Sequence, residues 1–151
     1  MFDDLKELLS IFNSQSVKYL IVGGYAVSFH AQPRATKDID LLIRPDAENA
    51  KAVYAALLKF GAPLEGLTLQ DFIERDKFFR MGRAPLMVDI LSEIPGVDFD
   101  RAWANRVDGV IDHESGLVAF FISRADLIAA KLAAGRPQDI ADVAALRQSV
   151  D

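Results

Sequence analysis

The chain has 151 residues, of which 51% are hydrophobic and 26% charged, with a formal net charge of −5 at neutral pH and no cysteine. That length is enough for one domain with a core of its own, and the apolar share excludes a disordered chain. Without cysteine there can be no disulfide, thiolate zinc site or cysteine nucleophile, and the acidic balance argues against coating nucleic acid through the whole surface, though not against one local basic groove.

The opening MFDDLKELLSIF is acidic and amphipathic, without the basic start of a secretory signal. Leu5, Leu8, Leu9 and Phe12 fall at helical spacing, which predicts a helix over residues 3–13 with one buried stripe. Residues 18–22 read as a short buried strand that runs into Gly23-Gly24, and YAVSFHA then allows about two helical turns before Pro33. Residues 38–44 read as a second strand closed by Pro45. Asp46 should cap a helix over 47–60 with Val53, Tyr54, Leu57 and Leu58 on one face and Gly61 at its end.

LQDFIERD reads as a short helix, and KFFRMGR and LMVDILSEI as two strands joined at Ala84-Pro85. FDRAWANRV reads as helical, GVIDHESGLVAFFIS as a hairpin turning near Ser115-Gly116, and the tail as two helices split at Gly135, with Ser123 and Arg136-Pro137 marking their starts. Helices flank the strands, but several strands follow one another directly. The expectation is therefore a single α+β (mixed α/β) domain over residues 1–151, and no apolar run reaches the ~20 residues that span a bilayer. No membrane association is expected, and a cytoplasmic location is.

Side chains alternate along a strand, so Asp38 and Asp40 share a face while Ile39 and Leu41 enter the core. Two carboxylates about 7 Å apart on one strand repel unless a positive group lies between them, and Mg²⁺ favours such carboxylates together with phosphate oxygens. A D-x-D alone reads first as the exposed end of a strand. Its neighbours favour the metal. Gly23-Gly24, at a strand-to-helix junction, leaves the free N–H groups of a helix start open to phosphate, although a tight turn uses the same residues. Arg34 and Lys37 can neutralise phosphate or remain solvated loop charges. Asp89 interrupts an apolar strand, where a charge must be paired or bound to metal, and would converge with the other two acids if the strands are adjacent.

Taken together, GGYAVSFHAQPRATKDIDL followed by a strand with a single Asp resembles the signature of the DNA polymerase β-type nucleotidyltransferase superfamily. The string looks most like the minimal bacterial branch that holds AbiEii-type toxins, related nucleotidyltransferases and, more distantly, aminoglycoside and lincosamide nucleotidyltransferases. The tail DLIAAKLAAGRPQDIADVAAL is similar to the Lys…Arg-x-x-Asp-x-x-Asp segment of the AbiEii-like proteins.

The resemblance implies a nucleotidyltransferase fold, with a mixed central sheet of about five strands flanked by helices and with C-terminal helices. It implies transfer of a nucleoside monophosphate from a nucleoside triphosphate to a hydroxyl acceptor, with two Mg²⁺ ions for which Mn²⁺ can substitute. Gly23 and Gly24 would hold the triphosphate, and Asp38, Asp40 and Asp89 would be the metal-binding and catalytic acids. Lys131 would contact the triphosphate, while Arg136, Asp139 and Asp142 would line the nucleotide or acceptor side. Where many members of the superfamily have Gly-Ser this chain has Gly-Gly, so a serine hydroxyl on phosphate is missing.

From the residues alone, Lys131 is equally a lysine whose stem lies along apolar surface, and Arg136 with Asp139 a simple i,i+3 pair. His30 reads as a residue supporting the loop and His113 as a turn residue. Phe78, Phe79, Phe120 and Phe121 read as core. Arg75, Lys77, Arg80 and Arg83 read as a solvated hairpin in preference to a basic strip. The acceptor stays open among an RNA end, a protein and a small molecule, as does a partner in the form of a second copy or an antitoxin. An inactive nucleotide-binding regulatory module is the alternative from another class; a phosphatase is a third, for which no nucleophile motif is present.

Overall fold

The computed structural model describes residues 2–33, 36, 38–83 and 86–149. Arg34 and Lys37 lie outside the described residues, as does the Ala84-Pro85 joint. In chain order the elements are α1 (Asp3–Ser14), β1 (Tyr19–Val22), α2 (Gly23–His30), β2 (Asp38–Ile43), α3 (Ala47–Phe60), a 3-10 turn (Leu69–Phe72), β3 (Phe78–Arg83), β4 (Leu86–Leu91), α4 (Phe99–Ala104), β5 (Val107–Asp112), β6 (Leu117–Phe121), α5 (Arg124–Ala134) and α6 (Pro137–Gln148). No helix among the described residues is long and apolar enough to cross a membrane.

The six strands form one mixed sheet in the order β3-β4-β2-β1-β6-β5. About five were expected; both hairpins contribute both arms to the same sheet. β1 pairs antiparallel with β2 and parallel with β6, while β2 pairs parallel with β4. The outer pairs β3–β4 and β5–β6 are antiparallel.

Alternation along the central strands divides the interior into two layers. Tyr19, Ile21, Ile39, Leu41, Val88 and Ile90 face α1 and α3, where Leu5, Leu8, Leu9, Phe12, Val53 and Leu57 are buried. Leu20, Val22 and Leu42 face the opposite side, with Ala26, Phe99, Ile122, Leu127 and Leu146 from the helices there. Asp38, Asp40 and Asp89 share that second side, as their alternation with the first layer requires.

Local chemistry sets the ends of the helices. Asp46 Oδ1 accepts from the Asn49 backbone N at 2.9 Å, and Gly61 closes α3 with φ +90°. Buried Asn49 bonds the backbone N and O of Lys18 (2.8 and 3.0 Å) and the carbonyl of Arg44 (3.0 Å), which ties α3 to the start of β1 and the end of β2. Two expectations need correction. Leu58 is 64% exposed, because Ala50 and Ala56 complete the buried face of α3 instead, and Phe78 is 63% exposed at the start of an edge strand. LQDFIERD keeps only the 3-10 turn.

Candidate active site

The site begins where β1 hands over to α2. Val22 is the register partner of Asp40, so the first residue of α2 passes directly over the Asp40 side chain. Gly23 has φ +66°, and a Cβ built on it would fall onto Asp40 Oδ2. The glycine is therefore demanded twice, by its backbone conformation and by the carboxylate beneath it. Gly24 lies in the first turn of the same helix, where the backbone N–H groups have no partner within the helix.

Asp40 and Asp89 are register neighbours on the parallel strands β2 and β4, so strand spacing alone puts them about 4.8 Å apart at the backbone. Burial, then the charge of Asp89 and the hydrogen bond between the two carboxyl groups, then the charge of Asp38, push the Asp40 carboxyl up from 3.8 to about 6, against a smaller lowering effect of Lys131. Asp89 Oδ1 is buried and has no hydrogen-bond partner. Asp38 has a partner of its own. Arg80, on β3 and in register with Asp89, donates from Nη2 to Asp38 Oδ2 at 3.0 Å, and its Nε lies 3.6 Å from Asp89 Oδ1.

The C-terminal helices bring the second half of the site. Ser123 caps α5 through a 3.1 Å bond from the Asp126 N–H, and Gly135 (φ +67°) turns the chain into α6. Asp139 is fully buried and accepts from Arg136 Nε at 2.7 Å, Arg136 Nη2 at 3.1 Å and the Arg136 backbone N at 3.1 Å. Lys131 Nζ lies 3.3 Å from Asp139 Oδ1 and 3.1 Å from Asp142 Oδ2, and Gln138 donates to Asp142 Oδ1 at 2.9 Å. Hydrogen bonds from Arg136, opposed in part by burial and helped by Lys131, lower the Asp139 carboxyl to about 2.

The two halves meet around a cleft of about 510 Å³, lined by Gly23, Asp40, Leu91, Lys131, Arg136 and Asp139 among others. Asp142 does not line it; its carboxylate serves Lys131 and Gln138 from behind. Lys131 is only 11% exposed in this ion-pair cluster, so it is not a surface lysine, whereas Arg136 is 73% exposed and faces the opening. A larger cleft of about 620 Å³ has Arg44, Arg75, Glu93 and Asp98 in its wall, but Arg44 is committed to Asp46 and Asp100 and none of the three strand acids reaches it. His30 lies apart from the cleft, its Nε2 2.6 Å from the Ile122 carbonyl oxygen, and Lys77 pairs with Asp71 and Glu74.

Arg80, expected among the solvated hairpin charges, instead belongs to the site. A signal for it existed: a two-residue joint at 84–85 makes Arg83 the partner of Leu86, and counting back three residues on each arm pairs Arg80 with Asp89.

Among the described residues no three His, Asp or Glu side chains form a ready cage for a metal ion. The donor set nonetheless fits a hard divalent cation. It consists of carboxylate oxygens, one is buried without a hydrogen bond, and the charge of Asp89 raises the cost of ionising Asp40.

The whole chain, residues 1–151, matches a family described as nucleotidyltransferase of unknown function (DUF6036). The chain belongs to that nucleotidyltransferase family. No curated protein matches it. Among solved structures, the nucleotidyltransferase is similar to the antibiotic-resistance factor ANT(2'')-Ia in its solution structure, with 15% identity, a TM-score of 0.56 and coverage of 95% of this chain and 79% of that one. At that identity the likeness is one of fold: a mixed sheet flanked by helices.

Proposed function

We propose that the chain transfers a nucleoside monophosphate from a nucleoside triphosphate to a hydroxyl acceptor, dependent on Mg²⁺ or Mn²⁺. The observation that carries this reading is the Asp40–Asp89 pair on adjacent parallel strands, with Asp40 roofed by Gly23 and lining the cleft that Arg136 faces. Asp40 and Asp89 would hold the cation, with Asp38 joining them from the same face. A bound divalent ion supplies charge neutralisation on the phosphates and acidifies the acceptor hydroxyl.

The rest falls to the chain's own residues. The N–H groups at the start of α2, bare of side chains at Gly23 and Gly24, would donate hydrogen bonds to the phosphate chain. Lys131, Arg136, Asp139 and Asp142 together carry no net charge, so Arg136 at the mouth is the cation best placed to meet the pyrophosphate. Arg34 and Lys37, in the loop before β2, would add positive charge. In the transfer the acceptor oxygen forms a bond to the α-phosphorus, the α–β bridging bond breaks, pyrophosphate leaves, and Asp89 takes the acceptor's proton.

The acceptor we favour is a macromolecular or small-molecule hydroxyl of the same cell, as for the toxin half of an AbiEii-like toxin–antitoxin pair, with an antitoxin or a second copy as partner. The resemblance of the tail segment supports that placement. A second reading, a module that binds nucleotide without turnover, draws on Arg80, whose guanidinium already engages Asp38 Oδ2 and lies within ion-pair range of Asp89.

Incubation with Mg²⁺ and each α-³²P-labelled nucleoside triphosphate in cell extract separates these readings. Label entering an RNA, protein or small-molecule fraction with wild type and not with Asp40→Asn is the expected result. Mg²⁺-dependent nucleotide binding with no label in any fraction would favour the second reading.

A further inference from the structure

We infer that Arg80 is a built-in rival of the divalent cation, a tethered positive charge that sets how tightly the strand acids bind metal. The inference rests on the metal-site reading above and goes beyond it.

Three carboxylates share one face of β2 and β4, and a guanidinium reaches two of them. Its Nη2 bonds Asp38 at 3.0 Å, and its Nε stands 3.6 Å from Asp89 Oδ1, inside ion-pair range but outside hydrogen-bond range. Asp89 Oδ1 stays without a hydrogen bond although it is buried. The arginine thus offsets charge at the acids without filling their coordination. A divalent ion that takes Asp38 Oδ2 into its coordination together with Asp40 and Asp89 must take that oxygen from Arg80.

The fold makes that exchange easy. β3 is the outermost strand of the sheet and the Arg80 side chain is 47% exposed, whereas Asp40 and Asp89 sit on interior strands. Arg80 can swing into solvent without disturbing the core, and an exposed pair of this kind holds by no more than about 1 kcal/mol.

The test is a titration of purified, metal-free protein with Mn²⁺, followed by electron paramagnetic resonance at fixed ionic strength. Arg80→Gln is expected to bind Mn²⁺ between about two- and fivefold more tightly than wild type, the range such an exposed pair allows. Arg80→Lys retains a charge and should remain near wild type, and Asp40→Asn should lose binding. In parallel, the Arg80 Nε–H resonance of the wild type, assigned by its loss in Arg80→Gln, should move on addition of Mg²⁺. Equal or weaker Mn²⁺ binding by Arg80→Gln, with binding by wild type intact, would overturn the rivalry alone. Absence of Mn²⁺ binding in both proteins would overturn the metal site and the rivalry together.

Discussion

A methyl group at Gly23 would meet the Asp40 carboxylate and would have to sit on a backbone at φ +66°. Gly23→Ala is therefore expected to destabilise the fold by about 1–3 kcal/mol and to displace Asp40. A shifted denaturant midpoint together with lost Mn²⁺ binding would be the signature; wild-type metal affinity in this variant would refute the contact. Asp40 itself is held at a cost. Its carboxyl titrates near 6 in the folded chain against 3.8 ordinarily, so between those values the folded state binds more protons than the unfolded one. Stability should then fall as pH rises across that window. Asp40→Asn is expected to raise the melting temperature of the metal-free protein at about pH 7, while added Mg²⁺ should stabilise wild type only. A variant that melts below wild type under those conditions would contradict the assignment of burial and repulsion as the cause. At this scale the glycine and the acids were visible in the sequence by type and spacing. The Asp38–Arg80 bond was not, because counting along the β3–β4 hairpin pairs Arg80 with Asp89 but does not say that β4 lies beside β2.

At the scale of elements, α5 and α6 are joined by charge as much as by packing. Asp139 accepts from Arg136 and pairs with Lys131 while fully buried, and its carboxyl is held near 2, below the ordinary 3.8. The resulting stability is present above pH 3.8 and should be lost as pH falls from there towards 2, which an acid titration of wild type against Asp139→Asn would reveal as a difference that disappears at the low end. Asn49 has an analogous task on the other face. It makes three bonds to the backbone at Lys18 and Arg44, and Asn49→Ala should cost about 2–3 kcal/mol by chemical denaturation. A loss below about 0.5 kcal/mol would mean that water replaces those bonds. The elements were legible almost throughout, because Gly61, Gly135, Asp46, Ser123 and Pro137 mark helix ends by direct backbone chemistry. What was not legible was Asn49, a polar residue whose value depends on two strands distant in sequence, and the exposure of Leu58, which small alanines on α3 displace from the interior.

For the molecule as a whole, one sheet separates two apolar layers, and every central strand contributes alternate residues to both. Neither layer can be lost alone without breaking the strands of the other. Trp103, the only tryptophan, packs with Phe99 and Phe120 beside the second layer, so its fluorescence reports on that side. Its unfolding midpoint in urea is expected to coincide with that of the far-ultraviolet circular dichroism. Separate midpoints would show that the two layers melt independently. The strand order could not be read from the chain, since the parallel pairing of β2 with β4 spans α3 and β3 and leaves no local trace. That pairing has one more consequence. If β4 slid by a single residue against β2, Asp89 would point into the apolar layer beneath α1 and α3, where no partner charge awaits it. The acids proposed to hold the metal therefore also proofread the sheet: a chain that pairs wrongly is rejected by the same charges that the finished protein uses.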